Sequence, residues 1–374
     1  MIYRQFQDKH LSLLGFGAMR LPENDGVIDE AAFKEMLDHA IAGGINYFDT
    51  AYPYHSGQSE RVLGKLLKQY PRESFYLATK FPGHQISESY APAAIFEEQL
   101  EKCGVDYFDF YLLHNVCESS IDTYMDPRWG IIDYFKEQKR LGRIRHLGFS
   151  SHGRLDNLKY FLDQYGDDME FCQIQLNYLD WSLQNAKEKY ELLTERGIPV
   201  WVMEPVRGGK LVNLPERDIE NLKALHSDAS TASWGFRFLM GLPNVGMILS
   251  GMSNLEQVKD NLKTFSSEMQ LSDSEISLLF EIADNMKDSV PCSACRYCCD
   301  GCPQGLDIPT LISIYNETKI SAGGILSMYF KSLPADKRPD ACIGCGLCTY
   351  SCPQQIDVPQ VMKNLADTVA RLMS

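Results

Sequence analysis

Nine of the twelve cysteines fall between positions 292 and 352, and eight of these nine form two groups with identical spacing. The groups are Cys292, Cys295, Cys298 and Cys302, then Cys342, Cys345, Cys348 and Cys352. Each follows the pattern C-x2-C-x2-C-x3-C before a proline, and Gln304, Asp307 and Pro309 recur as Gln354, Asp357 and Pro359. The whole unit is therefore duplicated. Because closely spaced thiolates are metal ligands, the repeat predicts two metal centres.

This spacing resembles the bacterial ferredoxin motif. The resemblance implies two [4Fe-4S] clusters with crossed ligands, one on Cys292, Cys295, Cys298 and Cys352, the other on Cys342, Cys345, Cys348 and Cys302. Disulfide bonds are a less favoured explanation of the repeat, because they would need an oxidising compartment and the sequence shows no export signal. Structural zinc usually takes two C-x2-C pairs, which would leave Cys298 and Cys348 unexplained. We interpret Cys299 as a spare thiol, and Cys103, Cys117 and Cys172 as core residues.

Four polar residues stand at or soon after the ends of apolar runs, namely Asp49, Tyr54, Lys80 and His114. Hydride reduction of a carbonyl builds negative charge on oxygen and needs a proton donor. Tyrosine, with an ordinary pKa of about 10, donates poorly unless a neighbouring cation favours its phenolate. Lys80 could supply that charge, Asp49 could hold Lys80, and His114 could donate a hydrogen bond to the substrate. Each residue alone has an ordinary structural explanation, so the prediction depends on the combination.

Three segments that carry these residues resemble the catalytic region of the aldo-keto reductase family: FDTAYPY at 48–54, LATK at 77–80 and YLLHN at 111–115. The likeness extends over residues 1–285. It implies a (β/α)8 barrel that uses NADPH or NADH to reduce an aldehyde or ketone, or to oxidise an alcohol. Asp49, Tyr54, Lys80 and His114 would then form the catalytic tetrad.

The same resemblance assigns cofactor contacts to Ser150, Ser151, Gln175, Met203, Pro205, Ser250, Gly251, Ser253, Gln257 and Asn261. The first three match residues that bind the nicotinamide carboxamide, and Met203 replaces an aromatic residue that stacks on the ring. Residues 250–261 resemble the adenosine-phosphate loop. NADPH-selective members commonly carry Lys and Arg where this chain has Gly251 and Gln257, so NADH is also credible unless Arg207 or Lys210 compensates.

The elements that must position these residues alternate along the chain. Eight apolar runs, at residues 11–19, 44–50, 75–81, 108–114, 144–150, 171–178, 198–204 and 245–250, are separated by amphipathic stretches. A doubly wound sheet is the alternative, but the first run lacks a third glycine in register. We therefore predict an α/β chain with a (β/α)8 TIM barrel at 1–285 and a smaller, mainly α-helical, ferredoxin-like domain at 286–374.

Net charge and the distribution of apolar residues limit the expected binding partners and cellular location. The 374 residues carry a formal charge of −14, which disfavours nucleic acid and anionic membranes as partners. No export signal or run of eighteen apolar residues is visible, so we expect a cytoplasmic protein without a membrane span.

The two predicted chemistries differ in electron count. Nicotinamide transfers two electrons as one hydride, whereas a cluster accepts one at a time. Besides a small carbonyl or alcohol substrate, the sequence leaves three possibilities open: a partner flavoprotein whose flavin splits the electron pair, barrel chemistry fed by a partner ferredoxin outside the usual hydride route, or clusters that serve as structural staples or oxygen sensors. The alternative is an electron-carrier or redox-sensing docking protein whose barrel is a non-catalytic scaffold. The intact set of four polar residues favours the enzyme.

Overall fold

The computed structural model describes residues 1–85, 90–267, 269–286, 290–320 and 333–373. They form two compact units. The first comprises Met1–Val206 and Leu211–Leu279, and the second comprises Arg207–Lys210 and Phe280–Ser374.

The first unit is a closed barrel of eight parallel strands, as predicted. Its strands and the two small hairpins beside it are β1 (Tyr3–Phe6), β2 (Lys9–Ser12), β3 (Leu14–Gly17), β4 (Glu23–Asn24), β5 (Val27–Ile28), β6 (Tyr47–Asp49), β7 (Tyr76–Phe81), β8 (Phe108–Leu113), β9 (Ile144–Ser151), β10 (Cys172–Gln175), β11 (Val200–Met203) and β12 (Val245–Gly251). The barrel order is β3-β6-β7-β8-β9-β10-β11-β12, and β12 pairs with β3. Neighbouring barrel strands are therefore consecutive along the chain apart from the hairpin strands.

One or two helices follow each barrel strand. They are α1 (Glu30–Ala42), α2 (Gln58–Leu67), α3 (Pro92–Cys103), α4 (Ile121–Met125), α5 (Ile131–Arg140), α6 (Leu155–Tyr165), α7 (Asp180–Leu183), α8 (Ala186–Glu195), α9 (Glu216–Leu225), α10 (Thr231–Met240), α11 (Leu255–Thr264) and α12 (Asp273–Asn285). The Asp29 carboxylate caps α1 by accepting the N–H groups of Ala31 and Ala32. Gly104 ends α3 in the left-handed conformation, with φ of 63°.

The first predicted run, residues 11–19, is divided between two elements. Its beginning belongs to β2, which pairs antiparallel with β1, and only Leu14–Gly17 enters the barrel. The hairpin buries Phe6 and Leu11 in an aromatic cluster with Tyr47 and Trp201. Since Tyr47 is the first residue of β6, this cluster lies at the amino-terminal end of the strands.

In the second unit the described residues form helices and no strand. These helices are α13 (Tyr297–Asp300), α14 (Ile308–Ile320), α15 (Leu347–Tyr350) and α16 (Val358–Met373). Helices α14 and α16 share a buried core that includes Leu311, Ile312, Met362 and Leu365. Helix α14 is described as far as Ile320, and residues 321–332 lie outside the described ranges. Across the described ranges, no helix is long and apolar enough to cross a membrane.

Candidate functional site

The four predicted catalytic residues lie at the carboxyl ends of three adjacent strands. Asp49 is the last residue of β6, Lys80 lies near the end of β7, and His114 directly follows β8. Tyr54 begins a short 3-10 turn in the loop after β6. Because β6, β7 and β8 pair in that order, the fold brings all four residues to one edge of the barrel.

Lys80 is the centre of this group. Its Nζ donates to Asp49 Oδ1 at 2.5 Å and to the Thr50 carbonyl at 2.7 Å. The same Nζ lies 5.1 Å from the centroid of the Tyr54 ring, and the His114 ring meets the Tyr54 ring edge-on with centroids 5.9 Å apart. Lys80 has no solvent exposure and Asp49 has 3%. The cation is therefore shielded from water and directed towards the phenol and the carboxylate.

Burial acts on both members of the ion pair. It lowers the pKa of Lys80, whereas the Asp49 charge raises it. It raises the pKa of Asp49, whereas Lys80 lowers it. A contact of 2.5 Å with a second acceptor at Thr50 favours the doubly ionised pair, since each charge compensates the other.

His114 is held neutral. Burial lowers its pKa well below the ordinary value, and nearby His84, Lys80 and His152 act in the same direction. Its Nδ1 is buried and has no hydrogen-bond partner among the described residues. A neutral imidazole carries one N–H, so His114 can donate one hydrogen bond to a substrate oxygen.

The sequence reasoning missed two further histidines. The His84 ring lies 4.3 Å from the His114 ring, centroid to centroid, and burial lowers its pKa to about 4. Burial also lowers the pKa of His152 to about 3. His84 follows β7 and His152 follows β9, so the rule that locates chemistry at strand ends could have found both.

The residues assigned to the nicotinamide lie at neighbouring strand ends. Ser150 and Ser151 end β9, Gln175 ends β10 and Met203 ends β11, with Pro205 two residues later. Gln175 Nε2 donates to Asp180 Oδ2 at 2.7 Å, which fixes the amide at the rim. Met203 Sδ is 3.6 Å from Gln173 Nε2. The structure thus brings this set to the same edge as the tetrad.

The segment assigned to the adenosine phosphate follows β12. Ser250 and Gly251 end that strand, Asn261 donates to Ser250 Oγ at 3.0 Å, and the Gln257 side chain accepts the Ser253 N–H at 2.8 Å.

Arg20, which the sequence reasoning did not select, adjoins this segment. A Cβ added at Gly251 would lie 3.4 Å from Arg20 Cβ. The Arg20 guanidinium is 3.0 Å from the Glu204 carboxylate. Arg207 and Lys210, considered as substitutes for the missing cations, are grouped with the second unit, where Arg207 lies 3.4 Å from Gln354.

The eight repeated cysteines fall into two sets in the second unit. Cys302 lines a cavity together with Cys342, Cys345 and Cys348, although about forty residues separate it from them. Burial raises the pKa of Cys292, and the adjacent Cys352 raises it further.

The charges of Cys295 and Cys352 also act on Cys298, so each set combines cysteines of one motif with the fourth cysteine of the other, as the predicted crossed ligation requires. Within the described ranges no three His, Cys, Asp or Glu side chains converge as they would on a single ion. Cys299 shares α13 with Cys298, whereas Cys103, Cys117 and Cys172 are buried in the first unit.

Comparison with known proteins decides the family. The model of the Aldo/keto reductase family matches residues 13–284, well over half of the chain. The chain belongs to the aldo/keto reductase family. A 4Fe-4S dicluster domain model matches residues 291–356, which confirms the prediction of two clusters. This aldo/keto reductase is therefore an oxidoreductase joined to a ferredoxin-type dicluster domain.

Several relatives align with this chain over most of their own length. An NADH-specific methylglyoxal reductase of Escherichia coli is 27% identical over 326 residues, which is 75% of this chain and 97% of the relative. L-galactose dehydrogenase of Arabidopsis thaliana is 27% identical and covers 67% of this chain and 83% of its own. The holo form of an aldo-keto reductase from Bacillus halodurans has 29% identity and a TM-score of 0.62, covering 75% and 96% of the two chains.

Proposed function

We propose that this aldo/keto reductase uses NADH or NADPH to reduce a small aldehyde or ketone, or catalyses the reverse oxidation of an alcohol. The observation that carries the proposal is the fully buried Lys80 ammonium, 2.5 Å from Asp49 and 5.1 Å from the centre of the Tyr54 ring. The family's shared activity and the relatives named above support the same reaction.

Bound nicotinamide would supply the hydride. The chain's own residues would donate the proton and orient the substrate. The Tyr54 hydroxyl donates its proton to the carbonyl oxygen, and the Lys80 ammonium stabilises the phenolate that remains. Asp49 keeps Lys80 in place, while neutral His114 donates a hydrogen bond that orients the same oxygen. Ser150, Ser151 and Gln175 would hold the carboxamide.

The choice of cofactor follows from the residues at the predicted phosphate loop. Gly251 and Gln257 offer no positive charge, and a phosphate dianion binds weakly without cationic partners. Arg20 lies nearby but is paired with Glu204. The Escherichia coli relative is named as NADH-specific. We therefore expect NADH to bind at least as well as NADPH.

The dicluster domain would carry single electrons to or from a redox partner, either a flavoprotein or a ferredoxin. The cysteine sets would hold the two clusters, with Cys302 and Cys352 exchanged between the motifs. Because clusters of this kind need reduced thiols, we propose that the protein operates in the cytoplasm.

The test is an anaerobic assay on the full chain with its clusters intact. Each nicotinamide would be titrated by fluorescence, and a panel of small aldehydes and ketones, with methylglyoxal included, would be screened for oxidation of the reduced cofactor. We expect cofactor binding and turnover of at least one carbonyl. Clusters that can be reduced in a chain that binds neither nicotinamide would overturn the proposal and favour the electron-carrier alternative.

A further inference from the structure

A second buried carboxylate, which the proposed mechanism does not use, lies behind the tetrad. Glu60 is carried by α2 and has no solvent exposure. Its Oε1 accepts hydrogen bonds from Thr79 Oγ1 at 2.6 Å and from Gln99 Nε2 at 2.7 Å. The Lys102 ammonium is 3.7 Å from its Oε2.

The surroundings of Glu60 suit an ionised group. An ionised carboxylate only accepts hydrogen bonds, and Thr79 and Gln99 both donate to it, while Lys102 is close enough to form an ion pair. Burial raises the pKa of Glu60, while the hydrogen bonds from Thr79 and Gln99 and the charge of Lys102 lower it. Both hydrogen bonds reach Oε1, and the Lys102 ammonium faces Oε2, so two donors and a nearby cation favour the carboxylate over the neutral acid.

Glu60 is connected to Lys80 by structure and by charge. Thr79 directly precedes Lys80 in β7, and Gln99 Nε2, which binds Glu60, also donates to the Lys80 carbonyl at 3.1 Å. The Glu60 carboxylate therefore fixes the backbone from which the Lys80 side chain projects. Burial lowers the pKa of Lys80, and the charges of Asp49 and Glu60 both raise it.

We propose that Glu60 is a positioning residue, which acts through Lys80 by fixing its backbone and by keeping its side chain in the ammonium form. The inference rests on the proposed function, since it needs Lys80 to support proton donation by Tyr54. Asp49 and the Thr50 carbonyl contact the Lys80 ammonium directly, and Glu60 adds a second negative charge from the side of α2.

Several other titratable groups surround Glu60 and must be considered in any pH experiment. They are Lys80 on β7, Tyr111 on β8, Glu98, Lys102 and Cys103 on α3, and Tyr52 in the loop after β6. Lys102 bridges the two glutamates, because its Nζ is 2.7 Å from Glu98. The Glu98 side chain is 40% exposed, so solvent screens its charge. Glu98 is therefore a matched control for Glu60.

The test compares kcat/KM for carbonyl reduction as a function of pH in the wild type, Glu60→Gln, Glu60→Asp and Glu98→Gln. Loss of a nearby negative charge makes an ammonium release its proton at lower pH. We expect Glu60→Gln to move the alkaline limb down by about one pH unit and to lower kcat by about tenfold. The KM for nicotinamide should stay within about threefold. Glu60→Asp and Glu98→Gln should keep the limb within about 0.3 units.

An alkaline limb that stays at its wild-type position in a folded Glu60→Gln variant overturns the inference. If that variant does not fold, Thr79→Val removes one hydrogen bond to Glu60 and should give a smaller shift in the same direction. Tyr54→Phe, measured in parallel, separates the two proposals. An active Tyr54→Phe variant contradicts the proposed function itself, whereas an inactive one beside an unshifted Glu60→Gln contradicts only the role of Glu60.

Discussion

A lysine with no solvent exposure is costly unless its charge is compensated, and Lys80 has both Asp49 and a backbone carbonyl as partners. The compensation leaves the ammonium close to the Tyr54 ring instead of in water. At the residue scale, this arrangement separates the roles of the four predicted catalytic groups. In the proposed mechanism, Tyr54 carries the transferable proton, and the other three residues set its environment.

Tyr54→Phe removes that proton and preserves the shape of the ring. We expect carbonyl reduction to fall by at least about 100-fold, the usual contribution of general acid catalysis. Nicotinamide affinity should remain nearly unchanged, because the hydroxyl is assigned to the substrate oxygen. Steady-state kinetics and fluorescence titration would measure the two effects. A variant that retains activity within a few-fold of wild type would contradict the assigned role.

Polar residues at the carboxyl ends of strands can be predicted as site residues from the sequence. The pattern of apolar runs shows where strands end, and the resemblance to the family selects the same positions. Asp49, Lys80 and His114 are predicted as site residues in this way. Glu60 was not, because it lies on a helix and gains its significance only from the approach of Gln99 and Lys102 on another helix. Such contacts between distant segments leave no local pattern in a sequence.

At the element scale, the close packing of α2 on α3 builds the Glu60 network, since α2 carries Glu60 and α3 carries Gln99. Gly64 permits this approach. A Cβ at Gly64 would lie 2.4 Å from the Cys103 carbonyl oxygen, which is backbone and cannot move independently of α3. Gly64 is therefore needed because a larger side chain would collide with α3, and not because its backbone conformation is unusual.

Gly64→Ala should force the two helices apart. We expect it to lower the free energy of unfolding of the barrel by about 1–3 kcal/mol, the usual cost of overpacking. Gly166→Ala is the control, because Gly166 has φ of −59° and its added Cβ would meet nothing closer than 3.7 Å. Urea unfolding followed by circular dichroism would compare them. Equal midpoints for the two variants would contradict this account of the packing.

The eight barrel strands were all anticipated, because buried parallel strands appear as short apolar runs between amphipathic helices. The sequence pattern, however, does not distinguish the end of hairpin strand β2 from barrel strand β3, and it joins both in the first predicted run, residues 11–19. Leu11 and Leu14 are both fully buried, so hydrophobicity gives no break between β2 and β3. Only the pairing of strands distinguishes a hairpin strand from a barrel strand here.

At the scale of the whole molecule, the reductase residues and the cluster cysteines belong to two different units. The two units also differ in the size of their apolar cores. The barrel has an extensive apolar core of its own, whereas the second unit combines a small core with eight cysteines that the sequence assigns to clusters. Domains built around metal centres commonly depend on the bound metal for their folded stability.

Cys302→Ser tests how the two halves of the second unit share their ligands. We expect the cluster on Cys342, Cys345 and Cys348 to suffer more than the cluster of the first motif, because Cys302 lines the cavity of the second set. Iron content should fall from about eight atoms per chain towards about four. Electron paramagnetic resonance of the reduced protein would identify the surviving cluster, with Cys299→Ser as the control. Selective loss of the first cluster would refute the crossed assignment.

The proposed exchange of Cys302 and Cys352 between the two motifs has a consequence for the order in which the protein is assembled. A nascent chain exposes the barrel segments first, and domains commonly fold in the order in which they are synthesised. Cys292, Cys295 and Cys298 emerge long before Cys352, with which Cys292 is grouped. Iron and sulfide delivered early would find an open coordination position. Maturation should therefore begin only after translation has passed Cys352, when the reductase half can already be folded.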